Sequence, residues 1–174
     1  MEILDIYNKH RKKTGKTRER SQTLSTGDYQ LVVLILIFNS KGQMLIQQRH
    51  PSIIGWPGYW DITAGGAASA GDTSQQAASR ELYEEVGITA DFSEATPHLT
   101  IQTVRTFCDI YLHQMDVDIE NLQLCQNEVA QVKWATKDEI LTMIENNTFV
   151  PYQDGLIELC FSLAKRRRMS KRDS

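Results

Sequence analysis

The chain has 174 residues, of which 41% are hydrophobic, and a formal net charge of −3 at pH 7. This length suits a single domain, 1–174, with a sizeable core, and no run of 18 apolar residues could span a membrane. Residues 1–7 lack an apolar stretch of signal-peptide length, so we expect a cytoplasmic protein with no membrane partner. Three cysteines without CxxC spacing argue against a disulfide framework or a zinc site, and we expect reduced packing residues.

The charge is unevenly distributed along the chain. Residues 1–28 and 165–172 hold 13 of the 19 Lys and Arg residues, whereas residues 29–164 hold 17 acidic and 6 basic ones. The central segment is therefore near −11, and an anionic substrate would need a metal ion to screen that charge. Three interpretations of the basic tail, 165–174, stay open: cations ending a helix, attachment to nucleic acid, or folding back onto the acidic body. We favour the first, so nucleic acid is not the expected partner.

The first third of the chain predicts strands. Residues 1–28 alternate short apolar pieces with polar turn residues, which predicts an N-terminal hairpin extension. Tyr29–Phe38 is apolar throughout, as in a strand covered on both faces, and a turn over Asn39–Gly42 leads into Met44–Arg49. Residues 50–59 contain two prolines and two glycines, which indicates an irregular loop before a short strand over 60–63.

A glycine-rich loop beginning at Gly65 is predicted next, followed by a helix. Asp72 and Thr73 are helix-start signals, and Gly87 lies just after the last periodic apolar residue. Strands are predicted over 99–104, 107–115 and 129–134, a helix over 137–145 with a capping box, and a third helix opened by Pro151. This order predicts an α/β (α+β) fold with a mixed sheet flanked by helices.

Three carboxylates cluster on the mid-chain helix. Ala78, Leu82 and Val86 recur at a spacing of four and form the expected buried stripe, which places Glu81, Glu84 and Glu85 on an exposed face. Their mutual repulsion disfavours the helix by roughly 0.2–0.5 kcal/mol per pair. A hard divalent cation such as Mg²⁺ would offset it, because such ions take carboxylate oxygens and bridge to phosphates. The alternative is an ordinary solvated acidic face.

The spacing of this stretch resembles the Nudix box. The matching residues are Gly66, Arg80-Glu81-Leu82, Glu84-Glu85 and Gly87-Ile88. The ninth fixed position is Asp72, where the family has Glu. The segment GWPGYWDITAGG and the N-terminal hairpin resemble the branch that contains isopentenyl-diphosphate isomerases, so the resemblance covers roughly residues 1–146. It implies a Nudix-type α/β/α sandwich with a mixed sheet.

The resemblance also implies roles for individual residues. Glu81, Glu84 and Glu85 would be catalytic ligands of Mg²⁺ or Mn²⁺, with the Gly65 carbonyl as a further ligand. Arg80 would hold the loop through Asp72, with Gly66 part of the same loop. Glu128, before the strand at 129–134, matches the position where several Nudix enzymes have a catalytic glutamate or metal ligand. A solvated loop glutamate is the alternative interpretation there.

The chemistry implied is hydrolysis of a diphosphate linkage in a nucleoside diphosphate derivative or another small organic diphosphate. The isomerases use a cysteine and a histidine at positions that correspond here to Ala64 and Gly66, so isomerisation is disfavoured. A non-catalytic Nudix binding or regulatory domain is the other alternative.

Residues 49–60 contain candidate substrate-binding residues. Arg49 could hold a phosphate and Trp60, with Trp56 and Tyr59, could stack a base, although aromatic residues beside Pro-Gly turns also serve in packing. The oligomeric state is open, a homodimer included.

Overall fold

The structure is a computed structural model. It describes residues 2–170, and side chains are described as far as Lys165. Within these residues lie nine strands, three α-helices and a 3₁₀ turn at Ile119–Asn121. The strands and helices are β1 (Ile3–Tyr7), β2 (Lys13–Glu19), β3 (Gln30–Phe38), β4 (Met44–Arg49), β5 (Trp60–Asp61), β6 (Ala64–Ala67), α1 (Ser74–Val86), β7 (Leu99–Gln102), β8 (Thr106–Gln114), β9 (Val129–Ala135), α2 (Lys137–Glu145) and α3 (Leu156–Ser170).

The strands form two sheets. β1 and β2 pair antiparallel, which confirms the predicted N-terminal hairpin. The other seven strands form one sheet in the order β5-β4-β3-β8-β7, with β6 paired to β3 and β9 paired to β4. The predicted mixed sheet with flanking helices is therefore confirmed. Over the described residues, no helix is long and apolar enough to cross a bilayer.

The chain divides into two compact units. The first comprises the residues up to Ile35 together with Gly65–Tyr83 and Thr89–Tyr111. In this unit the Arg11 side chain, at the turn of the hairpin, forms an ion pair with Asp109 on β8. The Ala70 amide also donates to the Ile3 carbonyl at 2.7 Å. An ion pair and a backbone hydrogen bond thus both hold the hairpin against the rest of this unit.

The second unit comprises Leu36–Ala64, Glu84–Ile88 and the residues from Leu112 onward. Strand β4 is at its centre, paired antiparallel with both β5 and β9. Its first three residues, Met44–Ile46, are fully buried. Helix α3 contributes Phe161, whose ring packs edge to face on Phe38 with centroids 5.0 Å apart.

Two element boundaries were predicted wrongly before α1. The short strand ends at Asp61 rather than at residue 63, and Gly65 and Gly66 lie in strand β6 rather than in a loop. Glycine is needed at position 65 because the backbones of β6 and β3 lie close together there. A Cβ at Gly65 would be only 2.8 Å from the Val33 carbonyl oxygen on β3. Glycine in this strand allows the neighbouring backbone to approach closely, and the sequence alone does not distinguish such a glycine from one in a turn.

The prediction that Pro151 opens the third helix was also wrong, because α3 begins at Leu156. Phe149 forms a parallel bridge with Trp60, and the Val150 amide donates to the Trp60 carbonyl at 2.8 Å. The chain is therefore held extended up to Pro151 and turns only afterwards, through Gly155 at φ +78°. The predicted basic tail begins on α3 with an exposed Lys165, while the side chains of 166–170 and all of 171–174 lie outside the described residues.

The three cysteines are free thiols, as predicted. Burial raises the pKa of Cys108 to about 12, and the neighbouring Asp109 charge contributes in the same direction. Burial alone raises the pKa of Cys160 to about 11. Both thiols therefore stay protonated at neutral pH and act as packing residues.

Candidate active site

Helix α1 carries the three predicted carboxylates, and its start is fixed by a reciprocal cap. The Thr73 hydroxyl accepts from the Gln76 amide at 3.2 Å, and the Gln76 side-chain oxygen accepts from the Thr73 amide at 2.9 Å. This is a capping box, so Thr73 rather than Asp72 caps the helix. Asp72 is consequently available for a different contact.

The expectation of an exposed acidic face was wrong for two of the three glutamates. Glu81 and Glu85 are only 6% and 7% exposed, whereas Glu84 is exposed. Ala77, Glu81 and Glu85 form a second buried row beside the apolar row of Ala78, Leu82 and Val86. The buried face of α1 is therefore two residues wide, and its second row contains carboxylates. Burying a charged group is costly unless partners are provided.

Glu81 receives its partner from the preceding residue. Arg80 Nη1 lies 2.9 Å from Glu81 Oε1. The same guanidinium donates from Nη2 to the Ala67 carbonyl at 3.0 Å and from Nε to Asp72 Oδ2 at 3.3 Å. Arg80 thus ties β6, Asp72 and the Glu81 carboxylate together, and the ion pair with the shorter Asp72 is formed.

Gly66 leaves the space that the Glu81 carboxyl group occupies. A Cβ added at Gly66 would lie 2.4–2.5 Å from the carboxyl carbon and both oxygens of Glu81. Real Cβ atoms do not approach so closely, so any side chain at position 66 would displace the carboxylate. The predicted importance of Gly66 thus has a steric reason.

Glu85 is held by a residue that was not singled out from the sequence. The Nε2 group of Gln47, on β4, donates to Glu85 Oε2. Gln47 is only 4% exposed, so this amide–carboxylate bond is buried. A polar residue within the apolar start of β4 was the available signal, but it did not indicate which group Gln47 would meet.

Glu128 lies in the turn before β9 and is exposed. Its amide donates to the Cys125 carbonyl at 2.9 Å, and the Cys125 amide donates to the Glu85 carbonyl at 2.9 Å. The His50 amide also donates to the Glu128 carbonyl at 2.8 Å. Backbone bonds through Cys125 therefore link the Glu128 turn to the C-terminal end of α1. The role of the Glu128 side chain stays a prediction.

Arg49 is already engaged within the protein. Its Nη1 lies 3.1 Å from Asp61 Oδ2, and its Nε donates to the Gly55 carbonyl at 3.0 Å. Asp61 also accepts from the Tyr152 hydroxyl at 2.6 Å. Burial raises the pKa of Asp61, while these hydrogen bonds and the Arg49 charge act in the opposite direction. Arg49 therefore also fixes the loop through Gly55 and Asp61, and phosphate binding by Arg49 stays a prediction. Asp61 was not anticipated from the sequence.

Trp60 meets a cation rather than another ring. The Lys133 ammonium lies 4.5 Å from the centroid of the indole, a cation–π contact. Trp56 instead contacts Tyr59, with ring centroids 5.2 Å apart. The predicted aromatic group therefore contributes to packing around residues 55–60, and substrate binding by Trp60 stays a prediction.

The donor set suits a hard divalent cation. Glu81, Glu84 and Glu85 offer carboxylate oxygens, the ligand type that Mg²⁺ and Mn²⁺ prefer, and the absence of a side chain at Gly66 leaves room for the Glu81 carboxyl group. Among residues 2–170, however, no three His, Cys, Asp or Glu side chains are grouped closely enough to hold a metal ion. The contacts of Glu81 with Arg80 and of Glu85 with Gln47 occupy oxygens that a cation would use.

The chain is similar to known proteins over most of its length. The family model of the NUDIX domain matches residues 28–158. An uncharacterized Nudix hydrolase of Listeria monocytogenes is 41% identical over 152 residues, which span 87% of this chain and 90% of that protein. An isopentenyl-diphosphate Delta-isomerase of Pectobacterium atrosepticum is 30% identical over 142 residues, 78% of this chain and 76% of the isomerase.

A solved structure gives the same fold. The crystal structure of the Deinococcus radiodurans protein DR0079 superposes with a TM-score of 0.73 at 25% identity, and the match covers 91% of this chain and 97% of that one. The similarity therefore extends over almost the whole chain. The conserved architecture therefore agrees with the Nudix-type sandwich expected from the sequence.

Proposed function

The chain belongs to the Nudix hydrolase family, and from that premise we propose that it cleaves a diphosphate linkage in a nucleoside diphosphate derivative or another small organic diphosphate. The reaction would depend on Mg²⁺ or Mn²⁺. The observation that carries the proposal is the burial of Glu81 and Glu85, each with its own donor. Two buried carboxylates on adjacent turns of a helix are difficult to explain by stability alone, because desolvation opposes their charged forms.

Glu81, Glu84, Glu85 and the Gly65 carbonyl would hold the cation. A divalent ion there would supply charge to stabilise the phosphoryl oxygens and would make a water molecule more acidic. Arg80 would keep the Glu81 carboxylate in place, since its guanidinium is itself anchored on Asp72 and Ala67. Gln47 would orient Glu85 in the same way from the sheet.

Glu128 is the proposed general base. Its side chain is exposed, so water and substrate can reach it, and its turn is linked by backbone hydrogen bonds to Glu85. A general base must reach the proton it removes either directly or through one water. The Glu128 carboxylate would take a proton from the attacking water, and a phosphate or a nucleoside monophosphate would leave.

The experiment is a panel of nucleoside diphosphate derivatives and small organic diphosphates assayed with Mg²⁺, Mn²⁺ or EDTA, with products identified by mass. We expect turnover that requires the cation and falls by more than about 100-fold in Glu85→Gln, because even outer partners of metal ligands contribute about 10–100-fold. Glu120→Gln, on the exposed 3₁₀ turn, is the matched control and should retain activity. Parent-level turnover in Glu85→Gln would contradict the metal assignment.

The isomerase alternative is opposed by the two positions that would carry its acid and base. Ala64 is fully buried and has no group that transfers a proton. Gly66 has no side chain and so cannot supply the imidazole. Incubation with isopentenyl diphosphate and Mg²⁺ tests the alternative, and formation of the allylic isomer would favour it over hydrolysis.

The binding-domain alternative has its own signature. If the basic tail recruits nucleic acid, single-stranded RNA should bind the full chain with an affinity that falls steeply with salt, and deletion of 165–174 should abolish it. Such binding without turnover of any diphosphate would replace the hydrolase proposal.

A further inference from the structure

A second candidate ligand site lies in the second compact unit. A cavity of about 460 Å³ is lined by residues from the ends of β3 and β8, the β3–β4 turn, the start of α2 and helix α3. Its volume is within the range of small-molecule pockets, about 300–1,000 Å³. None of its lining residues is among the carboxylates or their partners assigned above.

The floor of the cavity is apolar and partly aromatic. Phe38 and Phe161 line it with their edge-to-face rings, and Ala164 lies beside them. The amide of Gln114 borders the cavity and donates to the Ala164 carbonyl at 3.2 Å, which fixes that wall on α3. Phe38 is almost fully buried, so the half-buried Phe161 ring provides most of the aromatic surface that faces the cavity.

The rim carries more positive than negative charge. Lys41, Lys137 and Lys165 line the cavity against a single carboxylate, Glu158. Within the described residues, Lys41 and Lys165 have no ion pair, and the Lys137 ammonium lies 4.0 Å from the highly exposed Asp138. In the part of the chain that the structure describes, few negatively charged groups therefore neutralise the charges of these three lysines.

The position of Lys137 adds to this imbalance. It is the first residue of α2, where the helix dipole places partial positive charge and disfavours a cation. Thr136 and Glu139 form a capping box in which each side chain accepts from the other residue's backbone amide, while the Lys137 side chain lines the cavity. The carboxylates of Asp138 and Glu139 already complement this helix terminus, so an anion bound at the cavity would be attracted by the three lysines.

We propose that this cavity binds a small aromatic phosphate, of the size and chemistry of a nucleoside monophosphate. The phosphate would lie among the ammonium groups of Lys41, Lys137 and Lys165, and the aromatic part would pack on the Phe38 and Phe161 floor. Lysine acts as a point charge for phosphate, so affinity should depend on salt. The proposal does not depend on the hydrolase assignment.

Isothermal titration with adenosine 5′-monophosphate, adenosine and inorganic phosphate tests the proposal, with EDTA present so that no divalent cation contributes. The monophosphate should saturate the protein, and adenosine and phosphate should each bind at least about tenfold more weakly, since each engages half of the site. Failure of the monophosphate to saturate below about 10 mM would overturn the proposal.

Paired variants locate the binding. Lys41→Gln/Lys165→Gln should weaken monophosphate binding at least about tenfold, because two charge-assisted contacts are lost. Lys12→Gln/Lys16→Gln removes the same two charges from the exposed hairpin and should leave binding unchanged. Equal weakening in both pairs would show a net-charge effect and refute the site.

A steric variant supplies an independent measurement. Ser162 is exposed and lines the cavity, so Ser162→Trp should fill it and abolish binding without changing charge. Thermal melts of all variants check that the fold is retained, and the charge pairs decide alone if Ser162→Trp unfolds. Turnover should persist in every folded cavity variant, which separates failure of this site from failure of the proposed hydrolase.

Discussion

The side-chain amide of Gln47, on β4, donates a hydrogen bond to the carboxylate of Glu85, on α1. The two residues are 38 positions apart in sequence, and both are almost completely buried. The bond fixes one oxygen of a proposed metal ligand from the side of the sheet. Outer contacts of this kind orient ligands in metal sites generally.

Gln47→Leu tests the importance of this contact. We expect Mn²⁺ affinity to fall by about 10–100-fold, because the carboxylate loses the group that orients it. The metal-free protein should also lose about 1–3 kcal/mol of unfolding free energy, since a buried acceptor loses a donor. Mn²⁺ titration by electron paramagnetic resonance and urea denaturation measure the two effects.

The adjacent residue provides the control. Gln48 points to the opposite face of β4, where it bonds with Gln131 and with the Gly58 carbonyl. Gln48→Leu makes the same chemical change one position away and should leave Mn²⁺ affinity unaltered. Equal loss of affinity in the two variants would mean that β4 itself was perturbed and that Gln47 has no specific role.

Variants of Asp72 and Thr73 distinguish the ion pair with Arg80 from the capping of α1. Because Thr73 supplies the cap, Asp72→Asn should raise the Mg²⁺ concentration needed for half-maximal activity by removing the charged partner of Arg80. Asp72→Glu keeps that partner and should be tolerated. Thr73→Ala should cost about 1 kcal/mol of stability while leaving the Mg²⁺ requirement unchanged. If Asp72→Asn and the parent need the same Mg²⁺, the ion pair does not support the site.

Gly66→Ala should disable the site through a steric effect. The new methyl group would overlap the Glu81 carboxyl group, which must then move. We expect a loss of Mn²⁺ affinity with secondary structure retained, followed by circular dichroism. Glu81→Asp in the Gly66→Ala background shortens the side chain by one methylene and should recover part of the affinity. Full affinity in Gly66→Ala would show that Glu81 does not bind the cation.

The local features of α1 were predictable from sequence, whereas its buried carboxylates were not. The Ala78, Leu82 and Val86 period and the terminal Gly87 define the helix through contacts within a few residues, so the pattern was sufficient. The burial of Glu81 and Glu85 depends on Arg80 reaching back to Ala67 and on Gln47 from another strand. A charged residue in a periodic pattern is assigned to solvent unless its distant partner is known.

The predicted boundaries of the elements around Trp60 were wrong for a related reason. Residues 60–63 read as one strand because Trp60, Ile62 and Thr63 are residue types that favour strands. Asp61, however, contacts Arg49 and Tyr152, and strand pairing ends there. Pro151 fits a helix start by local rules, yet its neighbours Phe149 and Val150 pair with Trp60. In both places a contact between distant segments overrides the local preference.

The N-terminal hairpin should depend on one buried aspartate. Asp109 is fully buried and accepts hydrogen bonds from Ser74 at 2.6 Å, from Thr100 at 2.7 Å and from the Arg11 guanidinium. Arg11→Leu removes the only basic side chain that the described residues pair with Asp109 by a salt bridge. We expect a loss of about 1–3 kcal/mol, less than for a fully buried pair because the Arg11 side chain is partly exposed.

Arg20→Leu is the matched control, because Arg20 pairs with Glu2 at the exposed end of the same hairpin. Its loss should change the free energy of unfolding by less than about 1 kcal/mol, the usual contribution of a surface pair. Urea denaturation gives both values, and hydrogen exchange of the β1–β2 amides shows whether the hairpin opens before the rest of the chain. If Arg11→Leu and Arg20→Leu are equally mild and hairpin exchange is unchanged, the backbone bonds of Ile3 and Tyr7 hold the hairpin without help from Asp109.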